Sequence, residues 1–234
     1  MANFKSPLVW GTLIRRYKRF LADVEFGDGS IQTVHCPNTG RMTGCAVPGC
    51  KVGLLNVAGG KRKYDYRWVL SEVDQQLICI DSAYANQVVV EAIKSGSLPE
   101  FAGFDLLQTE IKHASGCRFD VGLTFGPLQT LLEIKSVTLK GEESDGYFPD
   151  APSMRGAKHL NTLADSVAET TRCVQLYLVM HNGIDSVSAA VDIDPKYAQA
   201  LDAAVAVGVE VLAYRGRVSS AGVIVDGALP VTTG

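Results

Sequence analysis

The hydrophobic pattern of this chain changes near Asp81, and this change limits the possible folds more than any other feature of the sequence. Before it, short apolar runs alternate with turns built on glycine and proline. After it, segments with helical periodicity stand between strand-like runs. A chain of 234 residues is long enough for two modest domains, each with its own core. We therefore expect one domain at residues 1–80 and a second at residues 81–234.

The first 80 residues carry several short strand-like runs and no long helical pattern. The sequence Gly27-Asp28-Gly29 lies between two of these runs and predicts a hairpin, because glycine adopts positive φ without steric cost. Many short strands indicate a small barrel or sandwich, and closure of a barrel removes exposed strand edges. We predict a five-stranded OB-fold-like β-barrel with strands at 11–14, 21–24, 31–35, 51–57 and 68–73.

The remaining residues predict a mixed α/β domain, which makes the whole chain an α+β protein. Val88, Val89, Ala92 and Ile93 form the apolar face of a helix that Gly96 ends. Asp194 and Pro195 have the residue types that begin a helix. In order, we predict helix 85–94, strands 105–113, 117–124 and 130–139, helix 154–171, strand 173–180, helix 193–207 and strand 209–214.

Charge is unevenly distributed along the chain. The net charge is +5 for residues 1–80 and −8 for residues 81–234, which gives −3 overall with neutral histidines. A basic end on a mildly acidic protein favours a polyanionic partner for that end alone. The alternative is that the basic part simply docks on the acidic part.

The sequence also excludes several classes of protein. No apolar run approaches the roughly 20 residues that a membrane-spanning helix needs, and the first residues lack the apolar core of a secretory signal. Six cysteines occur without the spacing of a zinc site. We therefore expect a cytoplasmic protein with reduced thiols and no membrane partner, whereas disulfides are the less favoured alternative.

Three charged residues stand within otherwise apolar strand-like runs. Glu133 and Lys135 are two residues apart and so share one face of a strand, while Ile134 faces the core. If the preceding strand pairs with this one, Asp120 joins them. Two carboxylates, a carbonyl and water suit Mg²⁺, or Mn²⁺ in its place, and Lys135 would orient or deprotonate a water and offset phosphate charge. The alternative for so short a pattern is a solvated strand face or an ion pair.

Several motifs follow one another in fixed order from about Pro7 to Pro230. They are Gly11–Val24, His35–Met42, Lys61–Tyr64, Glu133–Leu139, Gly146–Ala151, Arg155-Gly156 and Lys158–Leu160. Together they resemble the sugar fermentation stimulation protein (SfsA) family. This resemblance implies an OB-fold-like N-terminal domain and a C-terminal domain similar to PD-(D/E)xK nucleases. It also implies non-specific DNA binding in a prokaryotic cytoplasm and a regulatory link to sugar (maltose) metabolism.

The resemblance assigns the nuclease-like core to Asp120, Glu133 and Lys135, with Glu91 as a possible further carboxylate; the alternative for Glu91 is an exposed position on an amphipathic helix. The pair Pro149-Asp150 follows Glu-x-Lys, whereas the signature acid precedes it, so Asp120 takes that role. Glu110, near Lys112 and His113, is expected to support the site from a neighbouring strand or, as the favoured alternative, to form an ion pair.

Basic residues interleaved with aromatic ones indicate contacts to nucleic acid, because cations neutralise phosphates and rings stack on bases. On the predicted helix, Arg155, Lys158 and His159 share one face that would grip a phosphate near the carboxylates. The alternative is a solvated basic surface. Trp10 and Trp68 are expected in the core or at the barrel rim. The predicted nucleic-acid-binding residues are Arg15, Arg16, Tyr17, Lys18, Arg19, Arg41, Lys61, Arg62, Lys63, Arg155, Lys158 and His159.

Three functions follow from these patterns. The favoured one is a DNA-binding protein that recognises the backbone rather than the sequence, with RNA as an alternative ligand. The second is an Mg²⁺-dependent endo- or exonuclease. The third is a regulatory interaction module with a vestigial nuclease site. The sequence determines neither the strandedness of the ligand nor the oligomeric state.

Overall fold

The computed structural model describes residues 2–59 and 62–233, and within these ranges the chain forms three β-sheets and three α-helices. None of the described helices is long and apolar enough to cross a membrane. All six cysteines are free thiols.

The N-terminal sheet is a closed barrel. The first strands are β1 (Ala2–Asn3), β2 (Val9–Tyr17), β3 (Leu21–Phe26), β4 (Ile31–His35), β5 (Lys51–Asn56), β6 (Tyr66–Val73) and β7 (Gln76–Cys79). The strand order is β4-β3-β2-β5-β6-β7, and β4 also pairs with β6 between His35 and Arg67. This bridge closes β2–β6 into a five-stranded barrel around fully buried side chains such as Trp68. The predicted OB-fold-like barrel is confirmed.

The rest of the chain is an α/β unit, as predicted. Its elements are α1 (Ser82–Lys94), a 3₁₀ turn (Pro99–Phe101), β8 (Leu106–Lys112), β9 (Arg118–Phe125), β10 (Leu128–Val137), β11 (Leu139–Lys140), β12 (Asp145–Phe148), α2 (Met154–Ser166), β13 (Thr171–Val179), β14 (Ser186–Ala189), α3 (Pro195–Ala206), β15 (Glu210–Ser219), β16 (Gly222–Leu229) and β17 (Val231–Thr232).

A seven-stranded sheet with the order β1-β16-β15-β13-β10-β9-β8 forms the centre of this unit. Strands β10, β13 and β15 are parallel, and their apolar side chains pack beneath α1 on one face and beneath α2 and α3 on the other. Strand β1 pairs with β16, so the first residues of the chain belong to this sheet and not to the barrel. Strands β11, β12, β14 and β17 form a small sheet beside it.

Differences from the predicted elements have local causes. Strand β7 was not predicted because its hairpin turn uses Asp74 and Gln75 at positive φ, without the glycine or asparagine that usually marks such a turn. The helix predicted to reach residue 171 ends at Ser166, because Thr171 already begins β13. The N-cap prediction for α3 holds, since the Asp194 side chain accepts a hydrogen bond from the Tyr197 amide at 3.0 Å.

Candidate active site

A cavity of about 440 Å³ opens between the barrel and the seven-stranded sheet. We call it the carboxylate cavity. Asp120, Glu133 and Lys135 all line it, so the structure brings these three predicted residues together. Further polar residues in its walls are Asn38, Asn86, Glu110, Asp150 and Arg155.

The pairing of β9 with β10 produces this convergence. Their antiparallel register ends with Val121 opposite Leu132, and Asp120 and Glu133 lie one step beyond that pair. Ile134 packs in the core, while its backbone amide donates a 2.7 Å hydrogen bond to Asp120 Oδ2. The amide group of Asn86 on α1 donates to the other oxygen of Asp120 at 2.6 Å. Asp120 is therefore held from the strand and from the helix.

Glu133 is only 2% exposed and is bound through one of its two oxygens. Lys135 Nζ and His159 Nδ1 both contact Oε1, whereas Oε2 is buried with no hydrogen-bond partner among the described residues. Arg155 Nε donates to His159 Nε2 at 3.3 Å. Because arginine is only a donor, Nε2 is the acceptor, and the proton of a neutral His159 lies on Nδ1, facing Glu133.

The two carboxylates have opposite pKa shifts. Burial, and next the charge of Glu133, raise the pKa of Asp120 above its ordinary value. Burial would also raise the pKa of Glu133, but the hydrogen bond from His159 and the charge of Lys135 outweigh burial and lower it. Glu133 is thus the more readily ionised member of the pair, and Asp120 ionises against its charge.

The donor set suits a hard cation better than zinc. Within residues 2–59 and 62–233, no group of three histidine, cysteine, aspartate or glutamate side chains is arranged to hold a metal. Mg²⁺ needs only one or two carboxylates, because it keeps several waters and takes substrate phosphate oxygens. Asp120 and the buried, unpartnered Oε2 of Glu133 fit this requirement.

Glu91 does not join the site. The face of α1 toward the carboxylate cavity presents Ser82, Ala83 and Asn86. Glu91 is five residues beyond Asn86, which turns it about 140° around the helix, and it accepts a hydrogen bond from Gln87 instead. The residue that α1 contributes to the cavity is Asn86, which the sequence analysis missed because an amide carries no charge pattern.

His159 corrects a second prediction. It shares α2 with Arg155 and Lys158, but its ring is only 4% exposed and both of its nitrogens are engaged. Arg155 and Lys158 are exposed and line a neighbouring pocket of about 460 Å³, so they keep the position expected for phosphate contacts. His159 also lines this pocket, but its burial leaves little of the ring open to a phosphate.

Arg16 also has a different role from the predicted one. Its guanidinium donates to the backbone oxygens of Arg19, Asn38, Gly40 and Arg41 at 2.6–3.2 Å. This leaves no free donor fork for a phosphate. Arg16 instead joins the β2–β3 turn to the loop that carries Asn38 into the cavity wall.

The loop at residues 36–42 is also held by the last residue of the barrel domain and by the C-terminal unit. Asn38 donates to the Ile80 carbonyl at 3.0 Å, and the Met42 amide donates to Asp150 Oδ2 at 2.9 Å. Asp150 approaches so closely that a Cβ on Gly40 would lie 2.7 Å from its Oδ2. Asp150 does not replace Asp120, but it forms part of the wall. Its place in a recognised motif, Gly146–Ala151, was the one signal for it.

The other basic residues of the barrel divide into bound and exposed ones. Arg15 pairs with Asp23 at 2.8 Å and lies over the ring of Tyr17. The hydroxyl of Tyr17 donates to Asp23 as well, so Arg15 and Tyr17 both have partners within the barrel. Lys61 lies outside the described residues. Of the predicted nucleic-acid-binding residues of the barrel, the exposed cations without an ion pair among the described residues are Lys18, Arg19, Arg41, Arg62 and Lys63.

The remaining predictions concern a strand and two tryptophans. Glu110 lines the cavity but pairs with Arg118 at 2.8 Å, the favoured ion-pair alternative. His113 contacts Ser115 and stays outside the cavity wall. Trp68 is fully buried in the barrel, and Trp10 packs partly buried against the core beneath α1.

Comparisons with known proteins match this chain along its whole length. Residues 14–80 match the model of the SfsA N-terminal OB domain, and residues 83–222 match the sugar fermentation stimulation protein RE domain. Sugar fermentation stimulation protein homologs from Pseudoalteromonas translucida and Pseudomonas putida are 44% and 46% identical, over 97% and 98% of this chain and 99% and 98% of theirs.

A solved structure has the same fold. The structure of Pyrococcus furiosus SfsA in complex with Ca²⁺ is 26% identical, covers 99% of this chain and 98% of that one, and superposes with a TM-score of 0.89. With both domain models matched in order and curated relatives above 40% identity, this chain belongs to the sugar fermentation stimulation protein (SfsA) family.

Proposed function

We propose that this protein binds DNA through the phosphate backbone, without preference for sequence. The supporting observation is the position of exposed cations around the carboxylate cavity. Arg16 ties the turn with Lys18 and Arg19 to the loop with Asn38 and Arg41, and Asn38 lines the cavity. Arg155 lines the same cavity from α2. A polyanion at the cavity therefore meets positive charge from both domains.

This charge is of the kind that gives non-specific affinity. Lysine and arginine side chains that neutralise phosphates release counterions, so affinity falls linearly with salt on logarithmic axes. No described element is placed to read base edges in the way that a helix-turn-helix or zinc finger does. The six free thiols suit the reducing cytoplasm in which we place this activity. The link to sugar metabolism would be regulatory.

The test is a salt titration of binding, measured by fluorescence anisotropy with oligonucleotides of two unrelated sequences in EDTA. Arg41→Ala is expected to reduce the slope of log affinity against log salt by about 0.7–0.9, the value for one lost phosphate contact. Arg217→Ala is the control, because Arg217 is an exposed cation on β15 that pairs with Asp226 and lines none of the pockets described here. A DNA affinity that does not change with salt concentration, or that differs strongly between the two oligonucleotide sequences, would contradict the proposal.

A second function, Mg²⁺-dependent hydrolysis of phosphodiester bonds, is supported by the convergence of Asp120, Glu133 and Lys135. In this reaction a water oxygen bonds to phosphorus, one phosphorus–oxygen ester bond breaks, and the leaving oxygen takes a proton. A bound Mg²⁺ would polarise the phosphate. The Pyrococcus furiosus relative was solved with Ca²⁺, which like Mg²⁺ prefers oxygen ligands.

The chain's own residues have separate parts in this function. Oε2 of Glu133, which has no hydrogen-bond partner among the described residues, would hold the cation together with Asp120. Each oxygen of Asp120 accepts one hydrogen bond and keeps a further lone pair for a metal. Lys135 is held against Glu133 and would orient the water and stabilise charge on the phosphate. Asn86 and His159 keep the two carboxylates in place.

A cleavage assay tests this function with single-stranded and double-stranded substrates in Mg²⁺, Mn²⁺ or EDTA. Asp120→Ala and Lys135→Ala are each expected to lower the rate at least about a hundredfold, as removal of a charge-stabilising group typically does. Circular dichroism shows whether each variant is folded. Cleavage that survives both substitutions in folded protein would identify a contaminant.

A further inference from the structure

A groove runs from the carboxylate cavity along the N-terminal end of α1. Ala83 lines both the cavity and an adjoining cleft of about 280 Å³. Val57, Arg62 and Arg67 line that cleft and also a third pocket of about 220 Å³ on the β5–β6 side of the barrel. We call the cleft and the third pocket together the α1 groove.

The α1 groove is positively charged. Lys5, Arg62 and Lys63 line it, are exposed and have no ion pair among the described residues. Its acid, Asp81, is neutralised by Arg67, whose Nε and Nη2 donate to Asp81 Oδ2 at 2.9 and 2.6 Å. Three uncompensated cations along one groove suit a chain of phosphates.

Aromatic rings accompany these cations. Phe4 and Tyr84 stack with ring centroids 5.2 Å apart, and both line the cleft next to Ala83. Tyr64 lines the third pocket, with the ammonium of Lys63 5.5 Å from its ring. Alternating cations and rings are typical of sites that bind unpaired bases, because every base offers a face for stacking.

A hydrogen-bonding atom in the groove wall is also unused. Asp81 is 6% exposed, and its Oδ1 is buried without a partner among the described residues. An unpaired base carries amino and imino donors that such an acceptor can bind, whereas paired bases have already used them.

We propose that the α1 groove binds an extended single strand of DNA and leads it into the carboxylate cavity. Its rings offer faces to bases that are not paired in a duplex, and its cations can follow the phosphates of the same strand. This inference rests on the proposed DNA binding and adds to it the strandedness of the ligand and its path. The strand passes Tyr64, crosses the start of α1 at Ala83 and reaches Asp120.

The experiment places a negative charge where the groove meets the cavity. Ala83→Glu lies in the first turn of α1, where an acidic side chain stabilises a helix, so the variant is expected to keep the wild-type melting temperature. Gln199→Glu is the matched control: it changes net charge equally on an exposed position of α3 and lines none of these pockets. Arg62→Ala removes a groove cation as a second variant.

Binding is measured by anisotropy in EDTA, so that cleavage does not interfere, with one labelled oligonucleotide free or annealed to its complement. The wild type is expected to bind the single strand about tenfold or more tightly than the duplex, since stacking is worth about 1–3 kcal/mol per base. Ala83→Glu and Arg62→Ala should each weaken single-strand binding about fivefold or more, and Gln199→Glu less than about twofold.

Each outcome separates the two proposals. If the wild type binds both forms equally, or if Ala83→Glu behaves like Gln199→Glu, the groove is not the path of a single strand, while backbone binding itself stands. If the wild type binds neither form at any salt concentration, the proposed DNA binding fails and the groove proposal fails with it.

Discussion

His159 donates its Nδ1 hydrogen to the same oxygen of Glu133 that Lys135 binds. The second oxygen of Glu133 is thereby left without a partner in a buried position of the cavity wall. This geometry predicts that His159 positions Glu133 and does not contact nucleic acid. Replacing a partner that orients a metal ligand typically lowers metal affinity about 10–100-fold.

Replacement of His159 should therefore separate metal binding from nucleic-acid binding. His159→Ala is expected to weaken Mn²⁺ affinity by about 10–100-fold, whereas His159→Asn keeps a donor near the position of Nδ1 and should stay within a few-fold of the wild type. The measurement is the melting temperature against Mn²⁺ concentration, because a ligand of the folded state stabilises it by mass action.

The same two variants bear on the phosphate-binding role that the sequence had indicated. In EDTA, both should bind DNA as the wild type does, since the ring is buried and its nitrogens are engaged. If both variants bind DNA more weakly than the wild type in the absence of metal, His159 contacts phosphate as the sequence had indicated. An unchanged Mn²⁺ response in His159→Ala would remove its role in orienting Glu133.

Asp120→Asn tests the electrostatic cost of the carboxylate pair. The raised pKa of Asp120 means that its ionised form destabilises the folded state, so its contribution is favourable at low pH and is lost as pH rises through the folded-state value. At pH 7 in EDTA, Asp120→Asn should increase the free energy of unfolding, on the order of 1 kcal/mol, or a few degrees in melting temperature.

The gain from Asp120→Asn should shrink as the pH falls through the raised folded-state pKa of Asp120, because the wild-type side chain then becomes protonated. The same variant should lose the stabilisation that Mn²⁺ gives to the wild type. The amide of Asn86 can turn over to meet the new amide group, so this hydrogen bond need not be lost. A variant less stable than the wild type at pH 7 would show that the hydrogen bonds of Asp120 outweigh its burial and repulsion.

The sequence predicted the barrel, the α/β unit and the three central site residues, because these depend on strand periodicity and on chain order. It did not predict which faces of α1 and α2 meet the cavity. Glu91 and Asn86 differ by five positions on one helix, and only the angle at which α1 packs decides between them. Similarly, the charge of Arg16 suggested a phosphate contact, whereas one carbonyl in the adjacent turn and three carbonyls distant in sequence use up its donors.

The two candidates on α1 give a matched pair of variants. Asn86→Ala removes the donor to Asp120 Oδ1 and should lower Mg²⁺-dependent cleavage about tenfold or more, as the loss of an orienting partner does. Glu91→Gln removes a charge at the partly exposed Gln87 contact and should leave the rate within about twofold, as surface substitutions usually do. A cleavage assay in which Glu91→Gln lowers the rate more than Asn86→Ala would show that Glu91, and not Asn86, contributes to the site.

Arg16 is expected to be the basic residue of the barrel whose loss costs most stability. Arg16→Ala leaves the carbonyls of the β2–β3 turn and of the 38–41 loop without their shared donor. Because these hydrogen bonds are charge-assisted, we expect urea denaturation to show a loss on the order of 2–4 kcal/mol in the free energy of unfolding. Arg16→Lys should recover little, because an ammonium cannot reach all four oxygens.

The neighbouring Arg15 provides the control for Arg16. Its side chain is 69% exposed and pairs with Asp23, so Arg15→Ala should cost much less stability than Arg16→Ala, because exposed ion pairs contribute little. Because the 38–41 loop forms part of the cavity wall, Arg16→Ala should also weaken DNA binding, although Arg16 itself contacts no phosphate. Equal losses of stability in the two variants would contradict this prediction. They would mean that water replaces the hydrogen bonds of Arg16 with no loss of stability, and that the 38–41 loop does not depend on Arg16.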